Sequence, residues 1–124
     1  MSMNSGCDQI SVLIAEDQTI VKLGLKLVLS KYDDIKIVGE AENGLVACEL
    51  VHLLKPNVVI MDVGMPVMDG IKATQQIKLD CPNVGILVLT THERDDDVFA
   101  ALAAGADGYC LKDAEPDTLV SALR

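Results

Sequence analysis

Three carboxylates stand where apolar runs stop. Val58-Val59-Ile60-Met61-Asp62 reads as a buried strand closed by an acid. It leads into Val63-Gly64-Met65-Pro66-Val67-Met68-Asp69-Gly70, a loop punctuated by glycine and proline. Glu16 and Asp17 end an earlier apolar run, Ile10–Ala15, in the same way. If both strands belong to one parallel sheet, the three acids meet at its C-terminal edge, where open α/β sheets bind their ligands. Two unit charges about 4 Å apart repel by roughly 4 kcal/mol at an effective dielectric near 20. A cluster of this kind calls for a cation, and the first expectation is a divalent-metal site.

The elements that must position these acids follow from the hydrophobic pattern. Near-continuous, β-branched runs at Ile10–Ala15, Ile35–Ala41, Val58–Asp62, Val84–Thr90 and Gly108–Leu111 suit parallel strands covered on both faces. Helical patterns fill the gaps at Gln18–Ser30, Gly44–Leu54, Gly70–Leu79 and Asp95–Ala104, and a last helix begins near Glu115 with Pro116 in its first turn. In the first helix Ile20, Leu23, Leu27 and Val28 fall at helical spacing and are the expected buried stripe. Five alternations of strand and helix imply right-handed βαβ crossovers and a parallel sheet. They fit an α/β, flavodoxin-like, doubly wound sheet of five strands in the order 2-1-3-4-5 with five helices. Residues 1–9 are small, polar and unpatterned and read as a loose tail, leaving 10–124 as one domain.

Composition narrows the function classes. The net charge of −9 argues against nucleic acid or an anionic membrane as a direct partner of this segment. No apolar run approaches the roughly 18 residues of a membrane span, and Met1–Asp8 lacks a signal peptide's regions, so the expected location is the cytoplasm. With two Tyr, one Phe and no Trp, the core must be aliphatic. Cys7, Cys48, Cys81 and Cys110 are widely spaced with no C-x-x-C pair, which favours reduced thiols, mostly in the core, over a disulfide or a structural zinc site.

Taken singly, each polar residue has a plain structural reading. Glu16-Asp17 could be a solvated strand end with Asp17 capping the first helix, and Asp69 reads as the N-cap of the third helix. Thr90 alone would be β-propensity, and Lys112 alone a solvated charge. In the expected sheet, however, the first, third, fourth and fifth strands each deliver one of these residues to the same edge.

Together, Glu16-Asp17, Asp62, Met65-Pro66 with Met68-Asp69-Gly70, Thr90-Thr91, and Tyr109 with Lys112 resemble the receiver (CheY-like) domain of two-component response regulators over residues 10–124. The stretch Asp107-Gly108-Tyr109-Cys110-Leu111-Lys112-Asp113, followed by Glu115-Pro116, is most similar to the NarL/LuxR subgroup. The resemblance implies that Glu16, Asp17, Asp62 and the Gly64 carbonyl hold Mg²⁺, a hard ion that favours oxygen. It implies that Asp62 takes a phosphoryl group from a sensor histidine kinase, while Mg²⁺ and Lys112 neutralise charge on the group in transit. Thr90 and Tyr109 would form the switch, read out on the face of the fourth helix, fifth strand and fifth helix. Tyr109 also has a plain reading as a half-buried packing residue with a wet hydroxyl. The chain would be a signalling phosphoacceptor that assists its own phosphotransfer and dephosphorylation, rather than an enzyme.

Two departures stand out. Asp113 follows Lys112 where many receivers have proline, which leaves the isomer of that bond open. Gly64 and His92 lack the amide or acid that positions a hydrolytic water in some receivers, so the Asp62 phosphate is expected to decay at a moderate or slow rate. His92 has no neighbouring His or Cys to support a metal-ligand reading.

Three rival functions share parts of this pattern. A flavin or nucleotide binder of the same fold would want a Gly/Ser/Thr-rich loop after the first strand, where Glu16-Asp17 stands. An aspartyl-nucleophile phosphatase would want a second acid where Gly64 stands. The third rival is a stand-alone or phosphorylation-independent receiver acting as an interaction module. The pattern Leu119, Val120, Leu123 is still running at Arg124, which suggests a cut in or near the last helix, with a natural single-domain regulator as the alternative. DNA would be reached only through a C-terminal helix-turn-helix domain absent from this chain, and a homodimer through the fifth helix and its neighbours is open.

Overall fold

A computed structural model describes residues 9–90, 95–112 and 116–123. Strands and helices alternate throughout: β1 (Ile10–Ala15), α1 (Thr19–Leu29), β2 (Ile35–Ala41), α2 (Gly44–Leu54), β3 (Val58–Asp62), α3 (Gly70–Asp80), β4 (Gly85–Thr90), α4 (Asp95–Ala103), β5 (Gly108–Leu111) and α5 (Pro116–Leu123). The strands form one parallel sheet in the order β2-β1-β3-β4-β5. Four strands and α2 keep the bounds expected from the sequence. β4 starts one residue late, and α1, α3 and α4 differ by a residue at their ends, within the usual uncertainty of helix and strand termini.

The period of two along each strand divides the core between two faces. Leu13, Ala15, Val59, Met61, Ile86 and Val88 pack with Ala47, Cys48 and Val51 of α2 and Ala73 and Ile77 of α3. Val12, Ile14, Ile60, Leu87 and Leu89 pack on the other side with Leu25 and Leu29 of α1 and Leu119, Val120 and Leu123 of α5. Burying each such aliphatic side chain contributes about 1.5–3 kcal/mol, so β1, β3 and β4 form the stable spine of the domain.

The expected face of α1 is corrected. Ile20, Leu23 and Leu27 are exposed, while Leu25 and Leu29 are buried and Val21 and Val28 are half-buried. The helix TIVKLGLKLVL is apolar nearly all round, so its pattern offers two faces that would serve, and the sheet takes the one with the better packing. Asp17 does not cap this helix either, because Gln18 occupies the N-cap position without a side-chain bond. Gln9, assigned to the tail, donates its amide to the Asp33 carbonyl at 3.0 Å.

Two helices have well-made starts. The Asn43 side chain accepts from Val46 N–H at 2.9 Å, and Asp69, as expected, accepts from Lys72 N–H at 2.8 Å. α2 ends on Lys55 in the left-handed region (φ 48°), followed by Pro56. Between β3 and α3, Met68 N–H bonds the Pro66 carbonyl at 2.7 Å around Val67, an exposed β-branched residue at φ 68°.

The N-terminal edge of the sheet is closely stitched. Asn57 Oδ1 accepts from both the backbone N–H and the hydroxyl of Ser11, at 2.8 and 3.0 Å. The Lys78 ammonium donates to the Pro82 and Val84 carbonyls at 3.3 and 2.8 Å and pairs with Asp107 at 2.9 Å. Asp107 in turn accepts from Ile86 N–H at 2.8 Å.

Candidate functional site

The strand order reverses between β1 and β3, and the crevice at that switch point opens at the C-terminal edge. β1 carries the chain straight into Glu16, whose N–H bonds the Ala41 carbonyl of β2 at 2.9 Å. β3 ends on Asp62 beside Leu89 of β4. Lys112 follows β5, and its N–H bonds the Thr90 carbonyl at 2.8 Å, which fixes the root of a long side chain at the same edge.

The expected residues converge. Glu16, Asp17 and Asp62 each place a carboxylate oxygen within 4.8 Å of the others. The Lys112 ammonium bridges two of them, 3.0 Å from Glu16 Oε1 and 3.0 Å from Asp62 Oδ1. Asp17, Asp62, Gly64, Thr90 and Lys112 line one pocket, together with Gln18 and Val63. Glu16 is fully buried beneath it, Asp62 and Thr90 are nearly so, and Asp17 faces solvent.

Burial is the main electrostatic fact here. Loss of hydration pushes the Glu16 carboxyl above the usual carboxylate range, and the Asp62 charge adds to that. The Gln18 N–H, which donates to Glu16 Oε2 at 3.0 Å, and the Lys112 ammonium pull the other way. For Lys112, burial works against the charged form, but the Asp62 and Glu16 carboxylates outweigh it and hold the ammonium above the ordinary lysine value. The ion-pair contact leaves Glu16 Oε1 without an aligned hydrogen bond, a buried acceptor with spare capacity. Three acids, one of them with such an oxygen, fit a hard cation that takes oxygen ligands and keeps some waters.

Tyr109 lies apart from this cluster. It sits in β5 opposite Val88, is 41% exposed, and borders a groove with Gly85, Asp107 and Leu123 at the other end of the sheet. Thr91, His92 and the Lys112–Asp113 bond fall outside the described residues.

Sequence reasoning missed two contributors. The Gln18 N–H anchors Glu16, and only its position two residues on hinted at this. Gly70 looked like loop punctuation, yet a Cβ there would collide with the Asp62 carbonyl oxygen. The start of α3 therefore presses directly on the end of β3, and Gly70 N–H bonds the Val63 carbonyl at 2.9 Å.

Comparison with known proteins agrees with this architecture. Residues 12–124 match the family model described as the response regulator receiver domain. The chain is 40% identical over 115 residues to the response regulator protein VraR of Staphylococcus saprophyticus, covering 93% of this chain and 55% of that protein. It is 43% identical over 109 residues to the transcriptional regulatory protein YhcZ of Bacillus subtilis, covering 88% and 51%. It thus spans about half the length of the curated relatives it matches. Among solved structures, the signal receiver domain of the response regulator NarL from Mycobacterium tuberculosis superposes with a TM-score of 0.89 at 29% identity over 94% of each chain. A LuxR-family DNA-binding response regulator from Staphylococcus aureus gives a TM-score of 0.86 at 31% identity, over 92% of this chain and 95% of that one. The protein belongs to the response regulator receiver domain family, in its NarL/LuxR-like subgroup.

Proposed function

We infer that this receiver domain accepts a phosphoryl group on Asp62 from the phosphohistidine of a sensor kinase. The observation that carries the reading is the convergence of Glu16, Asp17 and Asp62 at one strand edge, with the Lys112 ammonium bridging Glu16 and Asp62. In the transfer, a bond forms between an Asp62 oxygen and phosphorus as the phosphorus–nitrogen bond to the partner's imidazole breaks. The electron pair leaves on that nitrogen. Lys112, already paired with Asp62, stays beside the incoming group and offsets its charge. Mg²⁺ held by Glu16, Asp17, Asp62 and the Gly64 carbonyl would neutralise phosphoryl oxygens when bound.

Thr90, buried at the pocket wall, would donate its hydroxyl to a phosphoryl oxygen and draw the loop after β4 inward. Tyr109, 41% exposed on β5, would then exchange an outward for an inward rotamer. The biological setting follows from the same reading. We place this domain in a cytoplasmic, transcription-controlling regulator, where DNA is reached through a separate C-terminal domain and receivers can pair as homodimers.

The test is phosphorylation of the purified domain by a small phosphodonor with and without Mg²⁺, beside Asp62→Asn. Mg²⁺-dependent labelling that is stable in acid, labile in base and lost in Asp62→Asn is the expected result. Well-folded protein that takes no label would overturn the reading in favour of a phosphorylation-independent interaction module.

A further inference from the structure

At the N-terminal edge of the sheet, far from Asp62, the last turns of α2 and α3 bring together three residues that the phosphoacceptor reading leaves unused. His52 lies in the last turn of α2, Asp80 is the last residue of α3, and Cys81 caps it. His52 Nε2 lies 3.4 Å from Asp80 Oδ2, and His52 Nδ1 lies 3.9 Å from Cys81 Sγ. Asp80 Oδ2 also accepts from Gln76 Nε2 at 3.0 Å, which sets the carboxylate in place one helical turn from its neighbour. The Cys81 backbone is held by bonds from its N–H to the Ile77 carbonyl and from Val84 N–H to its own carbonyl.

These contacts fix the chemistry of the imidazole. An ionised carboxylate can only accept, so the hydrogen of neutral His52 belongs on Nε2, facing Asp80. Nδ1 is then a bare lone pair turned toward the thiol. A carboxylate that orients the far nitrogen of a histidine is a common support for a metal-binding imidazole. The spacing also suits such a role. With zinc–nitrogen and zinc–sulfur bonds of about 2.0 and 2.3 Å, a tetrahedral ion holds those ligands about 3.5 Å apart, a few tenths of an ångström inside the 3.9 Å separation seen here. The His52 side chain is 54% exposed and Cys81 half-buried, so an ion can reach both, and Asp80 and Cys81 line an open pocket with Lys55 and Asn57.

We propose that His52 Nδ1 and the Cys81 thiolate form a surface site for a borderline divalent cation such as Zn²⁺, with Asp80 orienting the imidazole from behind. The thiol gives up its proton to solvent as the ion binds, and water fills the remaining positions. The wide cysteine spacing that spoke against a closed structural zinc site does not bear on an open site of this kind. Its two ligands come from different helices 29 residues apart and meet only in the fold.

The test is titration of the full chain with Co²⁺ in the presence of excess Mg²⁺, added to compete for the carboxylate pocket. The expected result is a near-ultraviolet thiolate-to-cobalt absorption band that saturates at one ion per chain and is bleached by Zn²⁺. The band should vanish in Cys81→Ser and His52→Ala and persist in Asp62→Asn, Cys48→Ser and Cys7→Ser. Asp80→Ala should weaken Co²⁺ binding by about 10–100-fold. Circular dichroism checks that each variant keeps the parent fold. A parent protein without the band, a band that survives in Cys81→Ser or His52→Ala, or an unchanged affinity in Asp80→Ala overturns the assignment.

Discussion

Lys112→Met removes the one ammonium that bridges Glu16 and Asp62 while keeping most of the side chain's length and apolar bulk. Each 3.0 Å contact is worth about 5 kcal/mol of attraction at an effective dielectric near 20. Much of that is offset in the native protein by the cost of drying a lysine whose side chain is only 13% exposed. What the variant faces is two buried carboxylates without a counter-charge. Breaking a buried pair in this way costs about 3–5 kcal/mol.

The pH dependence gives the prediction its sign. Glu16 has its folded value raised, so its contribution is fully present in acid and is lost as pH rises through that value. Removing Lys112 takes away an influence that lowers it, so the loss runs on to higher pH and deepens. The deficit of Lys112→Met relative to the parent should therefore be large at neutral pH and shrink as the pH falls and Glu16 takes up its proton. Lys112 is itself raised above the ordinary lysine value, so the parent alone should show a further loss of stability at strongly alkaline pH. With no tryptophan in the chain, the assay is urea unfolding followed by far-ultraviolet circular dichroism. Added Mg²⁺ should restore a large part of the deficit. A variant within about 1 kcal/mol of the parent at neutral pH, or a deficit indifferent to both pH and Mg²⁺, would refute the electrostatic account of the pocket.

Three further outcomes are expected. Gly70→Ala should destabilise by about 1–3 kcal/mol in the same assay, because the new methyl meets the Asp62 carbonyl and backbone must move; a neutral result would mean that α3 is not seated on β3 as described. Asp107 is pressed upward by burial but carried below the ordinary aspartate value by Lys78 and the Ile86 N–H, so its contribution is present at neutral pH and lost as pH falls through its depressed value. Urea midpoints measured down into acid should fall more steeply for the parent than for Asp107→Asn. A Cβ at Gly64 meets nothing within 4 Å, so Gly64→Asn should fit and place an amide by the phosphoryl site. If Asp62 is the phosphoacceptor, the acyl phosphate of that variant should decay several-fold faster than the parent's in a label-chase experiment, and an unchanged lifetime would show that the residue at 64 does not set it.

Much of the site was legible because strand-ending residues are legible. Once Ile10–Ala15 and Val58–Asp62 were recognised as parallel strands, the next residues had to share an edge, and Glu16, Asp17 and Asp62 do. Asp69 was readable as a cap from its place before Gly70. The rotation of α1 was not readable, because apolar residues on nearly every side leave no polar contrast to mark the solvent face. Nor was the role of Gly70, since sequence shows that a glycine is present but not which carbonyl lies over it. Encounters such as His52 with Cys81 depend on how two helix ends pack, and no local pattern encodes them.

The two ends of the sheet are fastened by different kinds of bond. At one, Asn57, Lys78 and Asp107 tie side chains to backbone groups, and Lys78 also pairs with Asp107. At the other, backbone ties such as Lys112 N–H to the Thr90 carbonyl are joined by an ammonium between two acids, and that pairing responds to charge gained or lost there. A change of charge at Asp62 would therefore act first on that ion pair, at the end of the sheet opposite the Asn57 and Lys78 ties. On the proposed function, the domain would work like a relay bolted down at one side, moving its contacts while its frame holds.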